Sequence, residues 1–324
     1  MSLETMGRRS GWVLFLLAAA VLAADRKLEL RGRIEPKPGK FCEVTLYGYD
    51  FPYTATVITG PGGRFRFKKL DPGLYTVIVF LPGRGEVRRT VAVTPSHADE
   101  KGRVEVTIPF QPSGSEIEAA ATVSAKALAV PKAAQAEYRK AQKKLGRRDT
   151  QGAIEHLKRA VEIAPGYVSA WNELGTIAYR EQRYEDAERY FRTALEHEPG
   201  AYSPTVNLGG VLLTLKRYKE ALKYNQYAVR VRPGEALPNS QLGLNWAYLG
   251  DEDKALEYLK KAKQIDPNHF SQPQLMLAKL YARRGEAKRA LEELEDFLAR
   301  HPDSPNAKIA RSWVEALRER LKKK

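Results

Sequence analysis

The 324-residue chain contains one cysteine, Cys42. A single thiol closes no internal disulfide, so stability has to come from packing. Cys42 lies in an apolar, strand-like run and reads as a buried, inert thiol. Histidine is scarce as well: the five are His97, His156, His197, His269 and His301, none at the i, i+4 spacing of a helical metal site. His97 sits in the loop run PSHADEKG and reads as solvated. There is no HExxH, no CxxC, no G-x-S-x-G and no GxxxxGK[ST]. Carboxylate pairs such as Glu185 and Asp186 fall on a polar helix face, where solvated charge is the default. The expectation is a protein that is not an enzyme, with no cofactor, no metal and no catalytic residues.

Long apolar runs are equally rare. After Arg8 and Arg9, residues Trp12 to Ala24 carry no charge, but thirteen helical residues reach only about 20 Å against a hydrocarbon core of ~30 Å. The small residues that close the run suit signal-peptide cleavage near Ala24 or Asp25. Residues 1–24 are therefore expected to be an export signal, leaving a periplasmic or secreted chain with no membrane span. The alternative is an uncleaved N-terminal anchor.

Charge leans to one sign: 54 Lys and Arg against 39 Asp and Glu give a formal +15. The acids are interspersed with the bases, which is the pattern of solvated helix faces rather than of a polyanion-binding tail. Export disfavours nucleic acid as a partner, and an anionic polymer stays possible.

Residues 27–110 have period two. KLELRGRI, FCEVTLYGY, YTATVITG, RFRFKKL, LYTVIVF, EVRRTVAV and RVEVTIPF read as seven short strands, divided by Gly, Pro and Asp clusters. Pro61-Gly62-Gly63 and Asp71-Pro72-Gly73 read as turns in which glycine takes the left-handed position. Alternation puts Phe65 and Phe67 in the core and Arg64, Arg66 and Lys68 on a solvated face. The order GRFRFKKLDPGLYTVIVF followed by EVRRTVAV resembles carboxypeptidase regulatory-like or transthyretin-like β-sandwich domains. The resemblance implies a seven-stranded sandwich over residues 25–110, used as a spacer or adhesion module, and no peptidase activity. Residues 111–130 are Ser- and Ala-rich and read as a linker.

The C-terminal half repeats. Pro165, Pro199, Pro233, Pro267 and Pro302 are spaced 34, 34, 34 and 35 residues apart, and paired alanines keep step upstream of them. The second unit, WNELGTIAYREQRYEDAERYFRTALEHEP, strongly resembles the tetratricopeptide pattern through Trp171, Leu174, Gly175, Tyr184, Ala187, Phe191, Ala194 and Pro199. The fold class expected is thus multidomain β plus α: the sandwich, then an all-α solenoid of five tetratricopeptide repeats over residues 131–303. A capping helix over 304–324 completes the chain, with an inner stripe of Ile309, Trp313, Ala316, Leu317 and Leu321.

The resemblance implies a concave groove lined by the first helix of each unit, which binds peptides or helices. The candidate groove residues are Asn172, Thr176, Tyr179, Val206, Leu213 and Tyr248, with Gly210, Ser240 and Leu244 beside them. Asn207 matches one position of the carboxylate-gripping members, but the lysines those members use are missing. The function expected is a protein-interaction scaffold of the cell envelope that takes a partner peptide or helix in the groove. The alternative is a binder of anionic surface polysaccharide or peptidoglycan.

Overall fold

The computed structural model describes residues 27–49, 51–110 and 130–322. The expected export signal and nearly all of the expected linker lie outside the described residues.

Seven strands form: β1 (Leu28–Glu35), β2 (Cys42–Gly48), β3 (Thr54–Thr59), β4 (Arg64–Leu70), β5 (Gly73–Leu81), β6 (Gly85–Val93) and β7 (Arg103–Pro109). They make two sheets, β4-β1-β7 and β3-β2-β5-β6. Period-two alternation turns Leu28, Leu30, Phe65 and Phe67 of one sheet and Val44, Leu46, Val77 and Val79 of the other into one apolar cluster. Cys42 belongs to that cluster, with its Sγ 3.0 Å from Thr59 Oγ1.

Two turns behave differently from one another. Gly63 has φ 66 and its N–H donates to Gly60 O, the left-handed turn expected. Gly73 instead opens β5, and the positive φ falls on Lys69. The reason is topological: β4 and β5 lie in different sheets, so the Asp71-Pro72 segment crosses between them and closes no hairpin.

Eleven helices make up the second half: α1 (Lys132–Leu145), α2 (Thr150–Ile163), α3 (Val168–Arg180), α4 (Tyr184–His197), α5 (Tyr202–Thr214), α6 (Tyr218–Val231), α7 (Ala236–Leu249), α8 (Glu252–Ile265), α9 (Pro273–Arg283), α10 (Ala287–Arg300) and α11 (Ala307–Lys322). The even-numbered helices end two residues before each recurring proline, which cannot continue a helix without losing a backbone donor. The alanine pairs Ala153/Ala160, Ala187/Ala194, Ala221/Ala228 and Ala255/Ala262 are wholly buried. A methyl group is all that fits where neighbouring helices approach this closely. Trp171 Nε1 donates to Pro165 O at 2.7 Å and ties the closing loop to the next first helix.

Two core positions break the apolar rule. The place of Phe191 is taken one unit later by Asn225, and that of Ile177 two units later by Asn245. Both are fully buried, and Asn225 Nδ2 donates to Asn245 Oδ1 at 3.0 Å while Asn245 Nδ2 donates to Tyr218 O. A buried amide pair costs little only when its hydrogen bonds are made.

In α11 the inner stripe is Ala307, Ala310 and Val314, with Leu317 and Leu321 half-buried. Ile309 is 54% and Trp313 44% exposed, and Ala316 is exposed too, against expectation. Small residues win the contact with α10 because they allow closer approach, and the bulky pair is rotated outward.

Gly175 shows how tight the helix pairs are. A Cβ there would lie 2.5 Å from Phe191, which is itself 1% exposed and has nowhere to swing. Gly175→Ala should lose about 1–2 kcal/mol net, overpacking outweighing the helix-propensity gain. Gly62→Ala, which meets open space, should change stability little. Urea unfolding of both variants checks this.

Candidate functional site

The expected groove residues divide into three groups. Val206 is 4% exposed and Ser240 fully buried. They pack inside the array and offer no surface, because each unit must bury part of its first helix against its neighbours. Thr176 spends its hydroxyl on Asn172 O at 2.9 Å, and Asn172 Oδ1 accepts from Asn207 Nδ2 at 2.9 Å. Gly210 lies under Gln241, whose Nε2 would be 2.6 Å from a Cβ there, and Leu213 and Leu244 are half-buried against the core. The third group is open. Tyr179 is 36% exposed, with its hydroxyl 3.3 Å from Thr214 Oγ1 and its ring edge-on to Tyr184. Tyr248 is 49% exposed and stacks on Tyr218 with centroids 4.7 Å apart. Tyr179 and Thr214 thus join the carboxyl ends of α3 and α5, and Tyr218, which opens α6, stacks on Tyr248 near the carboxyl end of α7, with the half-buried Leu213 on α5 beside Thr214 in the chain.

The chain's own β-region packs against the helical array. In the β3-β2-β5-β6 sheet, register places Thr45 and Tyr47 of β2 and Glu86, Arg88 and Thr90 of β6 on the outer face. Thr45 is only 7% and Thr90 4% exposed, so that face is covered. The tip of β2 touches the array in two places. Arg180 Nη2, on α3, donates to Gly48 O at 2.6 Å. The ring of Tyr49 stacks on Phe270, in the α8–α9 loop, at 4.2 Å. Arg148, after α1, lies over the Phe51 ring at 4.2 Å and pairs with Asp71.

β6 runs past three consecutive inter-repeat loops, each of which supplies an acid. Near the first, Glu86 and Arg88 meet Arg232 and Glu235, with Arg88–Glu235 and Arg232–Glu86 both at 3.7 Å. Glu235 also accepts from Tyr202 Oη at 2.8 Å. At the second, Asp266 Oδ2 accepts from Thr90 N at 2.8 Å and so satisfies a donor that an edge strand leaves unpaired. At the third, Asp303 accepts from Thr94 Oγ1 at 2.8 Å and from Ser96. The sequence carries a signal for this contact, since Glu235, Asp266 and Asp303 each lie within two residues of a closing proline. Acids on loops look solvated until the strand that faces them is known.

Burial sets the electrostatics here. It pushes the Tyr47 hydroxyl up to about 12, reinforced by Glu173. It also raises the Glu173 carboxyl, with Arg180 opposing. Burial works against the charge on Glu86, but Arg88 and Arg232 outweigh it and hold its carboxyl below the ordinary value. His269 and His301, both 5% exposed, lie behind the same loops. Burial, reinforced by His301, pushes His269 down to about 3; burial and then Arg300 push His301 down to about 4, with Asp296 opposing and His97 adding. Among the described residues no group of three His, Cys, Asp or Glu side chains could hold a metal ion, and no helix is long and apolar enough to cross a membrane.

Profiles of the tetratricopeptide-repeat family match residues 138–201, 172–236 and 248–314. No curated protein sequence resembles the chain closely enough to count as a relative. Solved structures similar to the helical array include PilW, described as a widely conserved type IV pilus biogenesis factor. It shares 20% identity and covers 59% of this chain and 93% of its own, with a TM-score of 0.50. MamA from Desulfovibrio magneticus RS-1 shares 22% identity over 55% of this chain and 99% of its own, TM-score 0.48. The pilF protein of Pseudomonas aeruginosa shares 23% over 59% and 91%, TM-score 0.48. At such identities the likeness concerns the fold alone.

The contacts between the two halves and the buried histidines each have a measurable outcome. A protease site placed within residues 111–129 should, after cleavage, leave the two halves co-eluting in gel filtration at physiological salt. Separate elution would mean that the tether, and not the interface, keeps them together. Both buried histidines have folded pKa values below the ordinary 6.5. The stability they confer is complete above that value and is lost as pH falls toward about 4 and then about 3. The melting temperature should therefore drop as pH is lowered from 7 to 4, and His269→Asn should flatten the slope.

Proposed function

Because the chain belongs to the tetratricopeptide-repeat family through its helical half, we propose that it is a non-enzymatic scaffold that holds a partner protein. The partner lies on the part of the concave face that the β-region leaves open. The observation that carries this reading is the exposure of Tyr179 and Tyr248, with Leu213, Thr214 and Tyr218 completing the aromatic strip around them. Aromatic rings standing in water on a preformed concave surface are favourable anchors, since rings bury much area for little lost side-chain freedom. A helix or an extended segment with apolar side chains suits that strip. Asn172, Thr176 and Asn207 flank it and supply polar contacts.

On this reading residues 25–110 are a carboxypeptidase regulatory-like sandwich, supported by two sheets that share one core. Residues 131–303 are five repeats, and 304–324 cap the open end. The basic start and short apolar run of residues 8–24 support export, which places the partner among periplasmic or surface proteins.

The test is affinity capture with the full exported chain, comparing wild type with Tyr179→Ala/Tyr248→Ala. The double variant should keep its melting temperature and bind the captured partner about tenfold or more weakly, the loss that truncated aromatic anchors produce. Unchanged capture by the double variant, or no stoichiometric partner for the wild type, would overturn the proposal.

A further inference from the structure

The outward face of the β4-β1-β7 sheet carries charges that its own fold does not call for. Arg31 of β1 lies directly opposite Arg66 of β4, and Arg33 directly opposite Arg64. Like charges in directly opposed positions destabilise a sheet. Bases on β4 protect an exposed sheet edge from pairing with another chain. β1 is the central strand, however, and has no edge to protect.

A second observation is a bulge. Leu28 pairs with Leu70 and Leu30 with Phe67, so three steps along β4 oppose two along β1. Lys69 takes φ 58, a conformation unfavourable for any residue with a Cβ. The result is that Lys68 and Lys69 are both exposed, where regular alternation would expose one.

A third observation is that Arg64, Arg66, Lys68 and Lys69 make no salt bridge among the described residues, although Glu29, held below its ordinary value first by its hydrogen bond from Arg31, is also lowered by Arg66 and Lys68. The acids of this face lie on β1 and β7. Glu29 accepts from Arg31 Nε at 2.5 Å, Glu35 lies 3.0 Å from Arg33, and Glu105 is registered against Arg31. The positive potential therefore runs along β4 as a stripe about one strand wide.

We propose that this stripe binds a linear acidic polysaccharide, a uronate-type chain lying along β4. Outward side chains of one strand are about 7 Å apart, so Arg64, Arg66 and Lys68 present a row of cations along which an extended polycarboxylate can lie. Guanidinium groups suit carboxylates because they donate two parallel hydrogen bonds. A planar anionic surface fits less well, since it would press Glu105 against like charge. A nucleic acid strand fits less well because no outward residue of β4, β1 or β7 is aromatic, and single strands are held by stacking. The site is on the β-region and does not involve the aromatic strip of the helical array, so the two proposals fail separately.

The test is titration of the full chain with polygalacturonate at low and at physiological salt. Wild type should bind, more weakly as salt rises. Arg64→Gln/Arg66→Gln/Lys68→Gln should bind about tenfold more weakly, whereas Lys158→Gln/Lys288→Gln/Lys308→Gln, which removes as many bases from the helical array, should stay within about twofold. Arg64→Lys/Arg66→Lys keeps the charge but loses the paired donors and should fall between. It also serves if the triple variant proves unstable. Without polymer, Arg66→Gln should hold or raise the melting temperature by relieving an opposed pair. No binding by wild type would overturn the proposal, as would equal losses in both triple variants or no loss in the Lys variant. Tighter binding, through the same stripe, of duplex DNA or phosphatidylglycerol vesicles would also overturn it.

Discussion

Each helix pair of the array has an apolar face that only the next pair can cover. That constraint fixes most of the molecule's architecture. It demands alanine where the helices of successive units touch, and glycine at position 175 where a first helix meets Phe191. It sets a repeat length and so places the closing loops in a row. It also leaves a concave surface lined by the first helices, because only their inner flanks are free of inter-unit packing. The row of loops and the concave surface are consequences of stacking, and the rest of the molecule is built on them.

The β-region uses both. Its outer sheet face covers part of the concave surface, and its edge strand β6 runs along the loops past Glu235, Asp266 and Asp303. An edge strand is a hazard because its unpaired backbone groups can recruit another chain. Here Asp266 takes one of those donors. The charge cluster of Glu86, Arg88, Arg232 and Glu235 is half-buried and has both signs in balance, which avoids the cost of leaving a single charge desolvated.

The helical array was legible because its signal is redundant. Prolines, alanines and Leu-Gly pairs recur in step, and one altered position such as Asn225 does not hide the others. The seven strands were legible from alternation alone. Which strands share a sheet was not, because alternation shows faces and not neighbours, and so Asp71-Pro72-Gly73 read as a hairpin turn. The stripe of α11 was misread toward Ile309 and Trp313, since size was weighed where closeness of packing decides. Among the groove residues, Tyr179 and Tyr248 are open, whereas Val206 and Ser240 are inside. A helix in a solenoid has two buried flanks, and spacing alone does not separate the flank that faces a neighbour from the one that faces water. The contact between the two halves shows in the sequence only as acids beside the closing prolines; their partners were not legible, because the contact joins residues 176 and 207 positions apart, such as Thr90 with Asp266 and Ser96 with Asp303.

Solenoids of stacked helix pairs behave as springs. Small rotations at each unit boundary add along the array, and the pitch of the superhelix shifts with them. β6 and the Thr94–Ser96 segment that follows it are attached at three successive unit boundaries, and a hydrogen-bonded sheet stretches far less than a row of loops. It therefore acts as a splint along one margin of the spring. With the pitch held, Tyr179 and Tyr248 keep a set separation, which under the proposed function spares a partner the cost of stiffening the array on arrival.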